Sequence, residues 1–192
     1  MGISLCLAST TDFRTFKKHG VIFQPDNKDV AIFPEKISGK YYALHRPSSV
    51  YSGKSEIWIA ESDNLKYWGM HRYLMGIREG GWDSGRIGGG AVPFLTAKGW
   101  IEIYHGADKN QRYCLGAVLL DKNEPWRIIA RSRKPLMEPL DEYEKKGFFG
   151  DVVFSCGVIY KDGIVGIYYG ASDECMCYAE CSIEYIYENL GI

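Results

Sequence analysis

Ala91-Val-Pro-Phe94, a Lys98-Gly99 turn and then Trp100-Ile-Glu-Ile-Tyr-His-Gly106 read as two short β-strands joined by a hairpin. The pattern recurs on both sides. Val30-Ala-Ile-Phe33 leads through Ser38-Gly39 to Tyr41-Tyr-Ala-Leu-His-Arg46, and Val152-Val-Phe154 leads through Asp162-Gly163 to Ile164-Val-Gly-Ile-Tyr-Tyr-Gly170. A third run follows each pair: Ile57-Trp-Ile-Ala60, Leu115-Gly-Ala-Val118 and Cys177-Tyr-Ala-Glu180. That third run occurs once more, as Ile3-Ser-Leu-Cys-Leu-Ala8, with no first and second runs before it. Short strands repeating at a fixed period mark a propeller-type array. The expected fold class is all-β, an incomplete β-propeller of about three and a half blades.

Strands are expected near 3–9, 20–24, 29–36, 40–46, 55–61, 71–76, 89–96, 99–106, 112–120, 126–131, 152–160, 164–170 and 175–182. The only amphipathic helix expected is Ser182-Ile-Glu-Tyr-Ile-Tyr-Glu-Asn-Leu190, with apolar residues at helical spacing. The charged stretches 107–112 and 141–147 read as surface turns. No Pro/Gly-rich linker divides the chain, so 1–192 reads as one partial domain, with 1–28 the outer part of a blade and 29–85, 86–147 and 148–192 three further blades. An open arc of blades leaves its end faces bare. A second copy of the chain or a missing N-terminal half is therefore expected to cover them.

The near-zero net charge of −1 supplies no basic excess for nucleic acid, which excludes that partner class. No run approaches membrane-spanning length. The apolar start lacks a positive leader region and is broken by Ser4, so it reads as a strand rather than a signal peptide. A reduced, cytoplasmic setting follows. Cys175 and Cys177 would share a strand face, yet no second Cys/His cluster lies near them in sequence. No metal site is expected, and the six cysteines read as buried free thiols.

The second strands end in His45-Arg46-Pro47, Tyr104-His105-Gly106 and Tyr168-Tyr169-Gly170, and the loops before the first strands are charged, with Asp26-Asn27-Lys28-Asp29, Trp82-Asp83-Ser84-Gly85-Arg86 and Gly150-Asp151. If these ends converge, Lys28, Arg46, Arg86 and His105 form a cationic pocket beside carboxylates. Arg forks and a Lys point charge suit phosphate oxygens. For each residue alone, an ordinary surface ion pair is the simpler explanation. Recurrence at like places in the repeat favours the pocket for the set. Gly85-Arg-Ile-Gly88-Gly-Gly90 fits neither the dinucleotide fingerprint nor a nucleotide-hydrolase phosphate loop.

Asn27 through Pro47, Trp82 through Gly90, Tyr104-His-Gly106, Gly147 through Gly157 and Tyr168-Tyr-Gly-Ala-Ser-Asp173 together resemble glycoside hydrolase family 130 over nearly the whole chain. The resemblance implies a five-bladed β-propeller and, in many members, β-mannoside phosphorylase activity. There inorganic phosphate cleaves a β-mannosyl linkage and releases mannose 1-phosphate. Phosphate is then a co-substrate, no cofactor is needed, and the organic partner is a β-mannoside oligosaccharide. By resemblance Lys28, Arg46, Arg86 and His105 bind phosphate, and Asp29, Asp83, Tyr104 and Asp173 line the sugar. The retained basic set is similar to that of the family's phosphorylases rather than its hydrolases. The resemblance also implies a general-acid Asp in an N-terminal segment before the strand that Ile3–Ala8 resembles, so no catalytic residue is assigned within this chain. Phe149-Gly-Asp151 departs from the family's pattern, where a Pro-Asn-like pair is expected. The alternatives are a noncatalytic propeller fragment binding a glycan or protein partner, or a β-mannosidase-type hydrolase.

Overall fold

The computed structural model describes residues 2–47 and 53–192. Its strands form antiparallel sheets that follow the chain in order. The first pairs β1 (Leu5–Ser9) with β2 (Lys17–Phe23). The second holds β3 (Asn27–Ile32), β4 (Tyr41–Pro47), β5 (Ile57–Ser62) and β6 (Gly69–Met75), each beside its sequence neighbour. The third is built on β9 (Gly99–Ala107) and β10 (Tyr113–Leu120), with β11 (Ile128–Arg131) outside and β7 (Arg86–Gly88) and β8 (Phe94–Thr96) both pairing β9. The last holds β12 (Val153–Lys161), β13 (Ile164–Ala171) and β14 (Cys175–Ser182).

Successive sheets face one another across three apolar layers. Phe23 meets Ala43 and Ala60 between the first and second sheets. Phe33, Leu44 and Ile59 meet Trp100, Tyr104 and Val118 between the second and third. Ile101, Ile103 and Leu115 meet Val165, Ile167 and Tyr169 between the third and fourth. The third sheet is thus covered on both faces, which is why β9 is buried at every residue and β10 reads as a nearly unbroken apolar run. The hairpin turns take the backbone their sequences call for: Ser38-Gly39 and Asp162-Gly163 both have positive φ at each residue.

In place of a fourth strand, the last sheet is followed by α2 (Ile183–Leu190), capped by the Ser182 hydroxyl at its start and by left-handed Gly191 at its end. Ile183, Ile186 and Leu190 bury its inner face.

Three expectations need correcting. The strand expected over 89–96 is broken, because β7 ends at Gly88 and β8 begins at Phe94. The stretch 141–147 is not merely a surface turn. It contains α1 (Glu142–Lys145), whose Glu144 is buried, closes a capping box with Asp141, and accepts from the Tyr169 hydroxyl at 2.8 Å. The six thiols are all free, but only Cys114 is buried. Among the described residues no helix is long and apolar enough to cross a membrane.

Candidate functional site

In an antiparallel hairpin the start of the first strand lies beside the end of the second. That rule brings the recurrent polar positions to one end of each sheet. Lys28 pairs with Arg46, Arg86 with Ala107, and Gly88 with His105. Lys28, Arg46 and Arg86 then line one cavity of about 470 Å³, together with Asp26, Ser55 and the chain start at Gly2-Ile3.

Arg46 is the centre of the site, at 5% exposure. Its Nη1 donates to the Ile87 carbonyl and to His105 Nε2, each at 3.3 Å, and lies 2.9 Å from Asp29 Oδ2. The last contact has ion-pair distance without hydrogen-bond alignment. Asp29 sits in left-handed backbone (φ 54) where the β3–β4 register jumps between Lys28 and Ala31. Such a bulge re-aims side chains beside a site. Burial raises the Asp29 pKa, opposed by Arg46, Lys28 and Arg86. Burial, reinforced by Arg46, pushes His105 down to about 3, so the ring is neutral and accepts from Arg46. Its contact with Asp29 at 3.5 Å is therefore not an ion pair. Arg46 Nε and His105 Nδ1 are buried without a hydrogen-bond partner among the described residues.

A second cleft of about 330 Å³ adjoins the first, lined by Tyr113, Phe149, Val152, Phe154 and Asp173. Contacts link the residues of the two: the His105 ring, bonded to Arg46, lies 4.4 Å from Phe154 and 6.0 Å from Tyr113, and the Arg86 guanidinium sits over Tyr113 at 5.9 Å. Asp173, exposed and in left-handed backbone, is one of the residues lining this cleft. Tyr113, Phe149 and Phe154 were not singled out from the sequence. Only the recurrence of aromatic residues at strand starts could have flagged them.

The structure separates Asp83 and Tyr104 from both cavities. Asp83 is fully buried; Arg78 Nη2 and Arg131 Nη2 reach its Oδ2 at 2.7 and 2.6 Å, and the Tyr104 hydroxyl donates to the same oxygen at 3.1 Å. The two arginines also bond Ser132 and Gly76 carbonyls, tying the loop before β7 to the far strand of its sheet. Both side chains are buried, and the contacts around the Asp83 carboxylate join it to Arg78, Arg131 and Tyr104.

The sequence matches glycoside hydrolase family 130, described as beta-1,4-mannooligosaccharide phosphorylase, over residues 1–190. It is 50% identical to a beta-1,2-mannobiose phosphorylase from Listeria innocua over 100% of this chain and 54% of that protein. It is 36% identical to a beta-1,4-mannooligosaccharide phosphorylase from Ruminococcus albus over 93% of this chain and 55% of that protein. A solved structure of the Listeria innocua enzyme in complex with beta-1,2-mannobiose superposes with a TM-score of 0.97 at 50% identity, covering 99% of this chain and 54% of that one. The chain thus spans about half the length of the curated relatives it matches. It belongs to glycoside hydrolase family 130.

Proposed function

We propose that this chain carries the phosphate-binding side of a β-mannoside phosphorylase, with its sheets as blades of an incomplete five-bladed propeller. The observation that carries the reading is the single cavity holding Lys28, Arg46 and Arg86. The three cations outnumber the carboxylates of Asp26 and Asp29 beside them, which leaves positive charge for an anion to match. Arg forks and a Lys ammonium meet phosphate oxygens with charge-assisted bonds.

The aromatic cleft beside it suits a mannosyl ring, which stacks its apolar face on Tyr113, Phe149 or Phe154 while Asp173 accepts from a hydroxyl. A phosphate oxygen then attacks the anomeric carbon from the cationic side, and the aglycone leaves on the other side with a proton. Neutral His105 orients Arg46 and supplies no positive charge. In this proposal the proton donor comes from the part of the family's length that this chain does not span.

The test is calorimetric titration with inorganic phosphate, followed by assay for mannose 1-phosphate when the chain is mixed with a polypeptide covering the relatives' remaining length. Saturable phosphate binding that Arg86→Met weakens supports the reading. Absence of any phosphate binding to the folded chain defeats it.

A further inference from the structure

The break in the first strand of the third sheet points to a residue that the proposed reaction does not use. Gly88 pairs with His105, and the ladder resumes only where Phe94 pairs with Ile101. Residues 89–93 therefore stand opposite only 102–104 of β9, a bulge with two extra residues. A bulge strips backbone groups of their ladder partners, and those groups need others. Gly90 N–H finds one in the Glu102 side chain, donating to Oε1 at 2.8 Å. Glu102 is 0% exposed, and no ion pair engages it among the described residues. Its Oε2 has no hydrogen-bond partner there.

The fastened bulge presses against the proposed anion site. A methyl group at Gly88 would lie 2.2 Å from Asp29 Oδ2 and 2.5 Å from the His105 ring. One at Gly89 would lie 3.1 Å from the Asp29 carbonyl and 3.5 Å from Glu102 Oε1. The glycine backbone is thus the wall against which Asp29 and His105 are set, and these two fix Arg46. We propose that Glu102 is a positioning residue: by holding the Gly90 amide it fixes the 88–90 backbone against Asp29 and His105, and so sets Arg46 for the anion. This rests on the anion-site reading above. Burial raises the Glu102 pKa well above its ordinary value, opposed only by the Gly90 N–H. A neutral amide reproduces its shape and its acceptor.

Phosphate titrations of wild type, Glu102→Gln, Glu102→Met and Glu102→Asp test it. Gln keeps the acceptor and should bind within about threefold of wild type. Met and Asp, which remove or retract it, should bind phosphate about 10- to 100-fold more weakly per folded molecule, the usual loss when a supporting partner of a site goes. Equal affinity in a folded Met or Asp variant, or a Gln variant as weak as Met, overturns the inference. Should Met and Asp fail to fold, amide exchange in wild type decides: phosphate must slow exchange at residues 88–90, and unchanged exchange on binding overturns it. A wild type that binds no phosphate instead overturns the anion site itself, and this inference with it.

Discussion

Asp29 lies at the bulge within β3 and Asp83 just before β7, and their surroundings separate them completely. Asp29 shares one arginine with a cavity open to ligand, whereas Asp83 is enclosed by two arginines and a tyrosine. Arg86 is only partly buried, and among the described residues its guanidinium rests over Tyr113 and makes no ion pair. Arg86→Met should therefore weaken phosphate binding by about 1.5–3 kcal/mol, the worth of hydrogen bonds to a charged group, with little change in unfolding midpoint. Titration calorimetry beside a urea melt separates the two effects. The buried histidines predict an acid limit to stability. Burial, aided by His71 for His45 and by Arg46 for His105, holds each at about 3 against 6.5 when unfolded. A base whose folded pKa is lowered contributes stability above its unfolded pKa and loses it as pH falls, here between 6.5 and about 3. The loss approaches about 1.4 kcal/mol per pH unit for each ring. Glu102 runs the other way. Its raised folded pKa makes its contribution complete below the unfolded value of 4.5 and progressively lost as pH rises through the folded one. Urea midpoints measured between about pH 4 and about pH 8 should fall on the acid side in wild type. Glu102→Gln should melt later than wild type by a margin that widens toward alkaline pH. A margin that shrinks with pH would contradict the raised Glu102 pKa.

At the scale of elements, the loop before β7 is secured by the contacts of Asp83 with Arg78, Arg131 and Tyr104. Removing that carboxylate leaves Arg78 and Arg131 facing each other without a counter-charge. Asp83→Ala should cost about 3–5 kcal/mol, the usual price of a broken buried pair. Phosphate affinity of the molecules that remain folded should be unchanged, and a parallel loss of affinity would return Asp83 to the site. The strands themselves were readable in the sequence because two-residue alternation and Gly-containing turns are local signals. The hairpins at Ser38-Gly39 and Asp162-Gly163 and the closing helix from Ile183 appear where those signals stand. The misread elements share a cause that is not local. Residues 89–93 look like strand, but the Gly90 amide is taken by Glu102 and the Gly89 backbone packs close against Asp29. Residues 142–145 look like a solvated charged turn, but Glu144 is drawn inward by Tyr169, which comes from another sheet element altogether.

Across the whole molecule, the last sheet covers the third with one face and leaves the other bare. Ile159, Tyr168 and Tyr178 share that outward face with Met176, which is 68% exposed. A contiguous apolar surface of this kind favours association. Light scattering on the eluting protein should give a mass above the 21.7 kDa of one chain, reduced by the double change Met176→Lys and Tyr178→Lys. A clean monomer at micromolar concentration would refute this. The sequence by itself determined the antiparallel strands, their order and the recurrence of polar residues at strand ends, since each depends on neighbours a few positions apart. Only the tertiary structure decided which of those polar residues meet. Lys28, Arg46 and Arg86 share a cavity while Asp83 and Tyr104 are sealed away, because burial and charge pairing depend on distances between sheets that no local pattern encodes.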